Sequence, residues 1–183
     1  SDPVVKIKTL VADVKVGTPD EYRNIPEIWR TAIAVGKRNQ SDELLRLLAA
    51  SLPEQGEPLQ CWQAVVIGGG VINGITIASD WPRSKLDSLL KDKPELTVRW
   101  EQALQRAVKM ADDPDVKGGT RYDALRMIAM LDYAACQKQL KRYLHDASHP
   151  ELQMGAVSGI GDVDVSAATD DLIESLPALT ARN

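Results

Sequence analysis

The sequence predicts an all-α fold, a right-handed α-solenoid of about ten helices arranged as antiparallel pairs. The first observation is an internal repeat over residues 120–179, where apolar positions recur 32 residues apart, as Val157 does after Leu125. The other recurrences at this period are Ile160 after Ile128, Leu172 after Leu140 and Leu176 after Leu144. The second observation is that apolar residues follow helical spacing along the chain, whereas no stretch alternates as a half-buried strand does.

Composition narrows the possible partners. Hydrophobic residues make up 44% of the 183 positions, but aromatic residues only 4%, and there is no Phe. This composition suits interfaces between helices that are built from Leu, Ile, Val and Ala. The net charge of −4 disfavours nucleic acid, which demands a clustered basic surface. No apolar run approaches the ~20 residues needed to span a bilayer. We therefore expect a protein partner, with no nucleic acid and no membrane span.

Capping residues and glycines define the helices of the first half. Helix starts and ends are indicated by Asp2, Pro3, Pro26, Ser41 and Pro53. The β-branched residues after Pro3 leave a strand as an alternative for the first element. The stretch from residue 60 to 79 is rich in glycine, and Gly68 follows Gly36 at the same 32-residue period. That period favours a helix in the glycine-rich stretch.

The second half contains a short helix over 85–91 and a longer one that Pro94 starts. The clearest helices cover residues 120–131, 135–145, 151–160 and 167–176. Because the period is lost between residues 80 and 119, we expect an irregular unit or insertion there. Residues 1–183 then form a single domain. Neither end carries the polar outer face of a capping repeat, so we expect a segment excised from a longer protein. Such a segment should self-associate end to end through its first or last helix pair.

Several turns followed by helices resemble the HEAT repeats of armadillo-like proteins. The segments that carry the resemblance are Pro3-Val4-Val5-Lys6, with Lys6 where that family often has Arg, and Pro94-x-x-x-Val98-Arg99. Three others resemble the HEAT segment of large planctomycete-type proteins: Trp62-Gln63-Ala64, Arg121-Tyr122-Asp123-Ala124-Leu125-Arg126 and Leu152-Gln153-x-x-Ala156-Val157. The narrower resemblance implies a dehydrogenase-like β-propeller before this segment and a cytochrome c-like haem domain after it. It also implies a periplasmic or membrane-associated location.

The glycine-rich stretch is also the best candidate for a cofactor site. Val65-Val66-Ile67-Gly68-Gly69-Gly70 is similar to the strand and turn that receive a dinucleotide pyrophosphate. However, Asn73 occupies the position of the third required glycine, and Gly74 comes one residue late. No second strand ends in an acidic residue about 20 positions further on. We therefore favour close helix packing as the role of these glycines.

Other motifs for metal or haem binding are incomplete. His145 and His149 have the spacing of two ligands on one helix face, but Pro150 indicates that the helix ends before His149. The calcium-loop pattern of Asp162-x-Asp164-x-Ser166 lacks the glycine and the glutamate that complete such a loop. Cys61 and Cys136 form no Cys-x-x-Cys-His motif and are expected to be buried thiols. We therefore expect no catalytic, cofactor-binding or metal-binding residue in this segment, and any haem to lie elsewhere in the parent protein.

Two charged stripes are the remaining candidates for a functional surface. They consist of Lys138, Lys141 and Arg142 on one helix and Asp170, Asp171 and Glu174 on its successor. The stripes are either a solvated pair of complementary faces or a surface for a protein partner. The sequence thus favours a non-catalytic scaffold or protein-interaction module. The alternative is a spacer segment of a dehydrogenase and cytochrome c oxidoreductase.

Overall fold

All of the regular structure in the described residues is helical. The computed structural model describes residues 2–12, 14–15, 18–54, 56–58, 60, 63 and 65–180. Within these ranges the chain forms ten α-helices and no strand, which confirms the predicted all-α class. The helices are α1 (Pro3–Ala12), α2 (Ile25–Arg38), α3 (Ser41–Ser51), α4 (Val66–Ile77), α5 (Pro82–Leu90), α6 (Pro94–Asp112), α7 (Gly118–Ile128), α8 (Tyr133–Leu144), α9 (Pro150–Gly161) and α10 (Ser166–Ser175). One hydrophobic core includes residues from every helix.

Four helices form a continuous row in the order α2, α4, α7 and α9, because each packs against the next. In the last pair, Gly155 lies against Tyr122 and Gly159 lies against Ala129, so α7 and α9 run in the same direction. Among the α-helices of the described residues, α3 lies between α2 and α4 in the chain, and α8 lies between α7 and α9. Between α4 and α7 the chain instead forms two helices, α5 and α6.

The backbones of α2 and α4 approach closely enough to require glycine. A methyl group added at Gly74 would lie 2.7 Å from the Cα atom of Gly36, and one added at Gly36 would lie 2.8 Å from the Cα atom of Gly74. Ala32 and Gly70 form a similar contact one turn earlier. Any larger side chain at Gly36 or Gly74 would force the two helices apart.

The other glycines of α4 face α7. A methyl group added at Gly68 would contact Met127, and one added at Gly69 would lie 2.6 Å from Cβ of Asp123. The stretch Val66–Ile77 is one α-helix, so the hypothesis of a strand followed by a dinucleotide-binding turn is wrong. The packing role predicted for these glycines is confirmed, since both neighbours in the row lie directly against them.

The 32-residue period describes only part of the packing. In the pair of α2 and α4, the residues in contact are 38 apart, as Gly36 and Gly74 are (74 minus 36). A strict 32-residue repeat would bury equivalent leucines equally, and the structure does not. Leu140 is fully buried but Leu172 only partly, and Leu144 is fully buried while Leu176 is 62% exposed. Leu176 lies beyond the end of α10 in a 3-10 turn, so it is not on the apolar face of that helix.

Capping residues mark the start of α1 and the end of α2. Oδ1 of Asp2 accepts a hydrogen bond of 2.8 Å from the backbone N–H of Val4, which caps α1 and makes the strand alternative wrong. Asn39 ends α2 in the left-handed conformation, with φ of 53°. Gln40, not Ser41, is the N-cap of α3, because Ser41 is already helical. Predictions that involve Cys61, Trp62 and Ala64 lie outside the described residues.

Candidate functional site

An open cleft lies where the N-terminal ends of α2, α7 and α9 meet. Its volume is about 520 Å³, which falls in the range typical of ligand sites. We call it the α2–α7 cleft. Its apolar and aromatic lining consists of Tyr22, Ile25, Pro26, Trp29, Tyr122 and Met154. Although Tyr and Trp are scarce in this chain, three of them line this one cleft.

The cleft is held in shape by a contact that reaches over α4. The indole Nε1 of Trp29 on α2 donates a hydrogen bond of 3.1 Å to Oδ1 of Asp123 on α7. Gly69 of α4 lies beneath this contact, and its missing side chain leaves the space that the carboxyl group occupies. The phenol of Tyr122 donates a hydrogen bond of 3.3 Å to Oγ of Ser158, which anchors that ring on α9.

Asp123 is a buried acid with few compensating contacts. It is only 4% exposed, and among the described residues the structure gives its Oδ2 atom no hydrogen-bond partner. Burial raises the pKa of Asp123 well above its usual value, and the nearby charge of Glu151 adds to the rise. The hydrogen bond from Trp29 and the charge of Arg126 oppose the rise in pKa without cancelling it. The surroundings therefore disfavour the ionised form of Asp123 more than water does.

Two opposite charges lie at the mouth of the cleft. Nζ of Lys117 lies 5.0 Å from the centroid of the Tyr22 ring, within the distance of a cation–π contact. The carboxylate of Glu151 lies against Gly118, at the N-terminus of α7, where the helix dipole favours a negative charge.

A second buried acid, Asp162 at the end of α9, has partners for both of its oxygens. Oδ2 of Asp162 accepts hydrogen bonds of 3.2 and 2.6 Å from Nε and a terminal nitrogen of Arg126, and Oδ1 accepts one of 2.6 Å from Thr76. Burial raises the pKa of Asp162, while the charge of Arg126 and the hydroxyl of Thr76 oppose that rise. These bonds tie α4, α7 and the end of α9 together. They also use both oxygens of the residue that would begin the calcium-loop pattern.

The structure joins the two charged stripes to each other. Nζ of Lys141 lies 2.7 Å from Oδ1 of Asp171 and 3.1 Å from Oε2 of Glu174. Asp171 is buried and also accepts hydrogen bonds from Tyr133 and Gln137. The Lys141 ammonium and these two donors outweigh the opposing effect of burial and lower the pKa of Asp171.

The rest of the stripe residues are divided between an ion pair and solvent. Arg142 forms an ion pair with Asp112 of α6. In the chain, α6 precedes α8, whereas the helix of the acidic stripe, α10, follows it. Lys138 and Asp170 are exposed, and within the described ranges no ion pair involves them. The partner surface predicted for the stripes stays a prediction, with most of its charges already paired inside the molecule.

The remaining candidates have structural partners. Nδ1 of His149 lies 2.8 Å from Oδ2 of Asp146, and His149 is the N-cap of α9. No group of three or more His, Cys, Asp or Glu in the described part of the chain is arranged to hold a metal ion. Burial raises the pKa of the Cys136 thiol to about 11, as expected for a buried thiol. Among the described residues, no helix has the length and apolar character that crossing a membrane requires.

Sequence reasoning did not identify the residues of the cleft as a site. Tyr22 and Trp29 lie about 100 positions before Tyr122 and Asp123, and only the packing of the row brings them together. One signal was present in the sequence. Asp123 lies one position before Ala124 and four positions before Met127, which places it on the apolar face of its helix. An acid on such a face is uncommon unless it is paired or functional.

The row of helices and its cleft define the class: an all-α protein that carries an aromatic cleft with a buried acid. No protein-family model, no curated protein and no solved structure matches the chain.

Proposed function

We propose that this chain is a non-catalytic α-helical repeat module that binds a segment of another protein in the α2–α7 cleft. The proposal treats the helices as a right-handed, HEAT-like solenoid. The row of α2, α4, α7 and α9 supports this reading, because stacked helix pairs place their first helices side by side and in one direction. Solenoids use their extended surfaces to bind partners.

The observation that carries the proposal is the combination of an apolar, aromatic cleft with the buried acid Asp123. A carboxyl group that is desolvated and only partly hydrogen-bonded disfavours folding, so a purely structural role does not account for it. Aromatic side chains that stay accessible in a concave site supply much of the binding energy at protein interfaces. Binding a partner would use both features.

The test is a selection of random displayed peptides on the folded chain, followed by measurement of their affinity by fluorescence anisotropy. Met154→Arg introduces a charge at a cleft residue that is 39% exposed, and Ile77→Arg is the matched control on α4, 50% exposed and outside the cleft. We expect Met154→Arg to weaken binding by about tenfold or more and Ile77→Arg to have no effect. Equal affinity for both variants, or failure to enrich any peptide, would contradict the proposal.

A second proposal rests on the segments Arg121–Arg126 and Leu152–Val157, which resemble a family of oxidoreductases. The chain would be a spacer between a dehydrogenase-like β-propeller and a cytochrome c-like haem domain, both outside this segment. The full open reading frame tests this proposal. A Cys-x-x-Cys-His motif downstream of Asn183 would support it, and the lack of one would rule it out.

We also propose that copies of this chain associate through the last helix, α10. Ile173 and Leu176 near the end of α10 are 61% and 62% exposed, and apolar patches of this type favour contact between copies. Sedimentation over a concentration series should detect association that Ile173→Glu abolishes, while Val98→Glu on α6 should leave it unchanged. A monomer at every concentration would contradict the proposal.

A further inference from the structure

The walls of the α2–α7 cleft have the chemistry of a cation site. The faces of Trp and Tyr rings are electron-rich and attract ammonium groups within about 6 Å of the centroid. Trp29, Tyr22 and Tyr122 all line the cleft. The chain already places one of its own cations there, since Nζ of Lys117 lies 5.0 Å from the Tyr22 centroid. The Tyr22 ring therefore accepts a cation in the protein's own structure.

The acid of the cleft has one oxygen available. Oδ1 of Asp123 is engaged by the indole of Trp29, whereas within the described residues Oδ2 accepts no hydrogen bond. Asp123 lines the cleft and is otherwise buried, so Oδ2 is accessible only to a group that enters the cleft. A donor that carries a positive charge would satisfy this atom and stabilise the ionised carboxylate.

Among the described residues around an ionised Asp123, negative charges outnumber positive charges by one. On its own helix, Arg126 is neutralised by its bonds to Asp162. From α9, Glu151 contributes a negative charge, and Lys117 contributes a positive one at the mouth. From α2 and α4 the residues that touch the carboxyl group are neutral, Trp29 and Gly69. When Asp123 ionises, its charge is left without a counter-ion among the described residues that surround it.

We propose that the cleft binds the ammonium group of a lysine side chain on the partner protein, between the aromatic rings and Oδ2 of Asp123. The inference rests on the proposed protein-binding function. The apolar stem of lysine would pack on Ile25, Pro26 and Met154, and its compact head would donate to the single free oxygen. Arginine fits less well, since its planar fork needs two acceptor oxygens. The ammonium favours the ionised form of Asp123, so any proton on that carboxyl group is released to solvent.

The probe is N-acetyl-lysine methylamide, and its neutral counterpart is N-acetyl-norleucine methylamide, which has nearly the same stem without the ammonium. The readout is the indole N–H signal of Trp29 in ¹⁵N NMR, identified among the chain's four Trp by the variant Trp29→Phe. We expect the lysine derivative to shift this signal saturably, and the norleucine derivative to bind at least about tenfold more weakly. Affinity for the lysine derivative should rise with pH as Asp123 ionises more readily.

The matched variants are Asp123→Asn, which keeps the shape of the side chain, and Asp164→Asn, which removes an exposed acid outside the cleft. Asp123→Asn should reduce the affinity for the lysine derivative to that for norleucine, and Asp164→Asn should have no effect. Equal binding of the two derivatives, no binding of either, or no effect of Asp123→Asn would overturn the lysine assignment. The peptide selection with Met154→Arg would still decide separately whether the cleft binds protein.

Discussion

Two buried acids lie beside the row of helices, Asp123 on α7 and Asp162 at the end of α9, and they differ in their partners. Asp162 receives two bonds from Arg126 of α7 and one from Thr76 of α4, so both of its oxygens are used. Among the described residues, Asp123 receives one bond, from a neutral donor, and it faces an open cleft. Burial is similar, with exposures of 2% for Asp162 and 4% for Asp123.

The difference separates a structural acid from a candidate binding group. A buried charge contributes to a stable fold only when its partners replace the water that it has lost. Arg126 and Thr76 do this for Asp162, and the resulting bonds hold three elements together. Within the described part of the chain, Asp123 has only the indole of Trp29 as a hydrogen-bond partner, so its ionised form raises the free energy of the folded state unless a ligand supplies further partners. The cleft is the place from which a ligand can do so.

The largest effect is expected from Arg126→Met, which would leave Asp162 buried without its counter-ion. Breaking a buried pair from one side typically costs about 3–5 kcal/mol of unfolding free energy. Urea unfolding followed by circular dichroism would measure the loss. A cost below about 1 kcal/mol, the range of surface pairs, would mean that water or a rearranged donor replaces Arg126.

A smaller loss is expected from Gly69→Ala. The added methyl group would lie 2.6 Å from Cβ of Asp123 and would push that side chain toward the cleft. Overpacking of this kind costs about 1–3 kcal/mol, and urea unfolding would measure it. The matched control is Gly161→Ala at the end of α9, where a methyl group meets open space. The control should be neutral or slightly stabilising, and an equal loss in both variants would contradict the packing argument.

The free energy of unfolding should depend on pH through the ionisation of Asp123. Its pKa is raised in the folded protein, so the fold keeps the proton after the unfolded chain has released it. Its contribution to stability is thus fully present below the usual pKa of 3.8 and is lost as pH rises through the folded value. Wild type should lose stability relative to Asp123→Asn over that window, by up to about 1.4 kcal/mol per pH unit.

Unfolding of both proteins across that pH range would provide the measurement. The difference between them isolates Asp123, because every other acid is common to the two. If the free energies of unfolding of the two proteins change with pH in parallel, the pKa of Asp123 is not raised, and the proposed contrast with Asp162 fails.

The smallest effect is expected at the exposed pair of Arg38 and Glu43. It has two hydrogen bonds of 2.8 and 2.7 Å, but the Arg38 side chain is 47% exposed. Arg38→Met should cost about 0.2–1 kcal/mol, because water screens surface pairs and competes for their bonds. Thermal unfolding would test this value alongside Arg126→Met. Equal losses for the two arginines would show that burial does not set the contribution of these pairs.

Much of the helical structure could be predicted because its signals are local. The cap at Asp2, the prolines that open α2, α6 and α9, and the apolar spacing of each helix all act within a few residues. The role of Gly68–Gly70 was also predictable as close packing. The register between α2 and α4 was not, because a contact 38 residues away depends on how two helices fit together and not on a repeat in the sequence.

By itself, the sequence determined the all-α class, the positions of most helices and the complementary charges of Lys141 and Asp171, because propensity, capping and spacing are properties of short segments. The tertiary structure alone decided which acid would be paired. The sequence does not show that the partners of Asp123 and Asp162 differ, because that difference arises when α7 packs against α4 and α9. That packing brings Arg126 and Thr76 to Asp162, while Asp123 accepts a hydrogen bond from the Trp29 indole and faces an open cleft. Desolvation and pairing depend on neighbours in space, which a linear sequence does not specify.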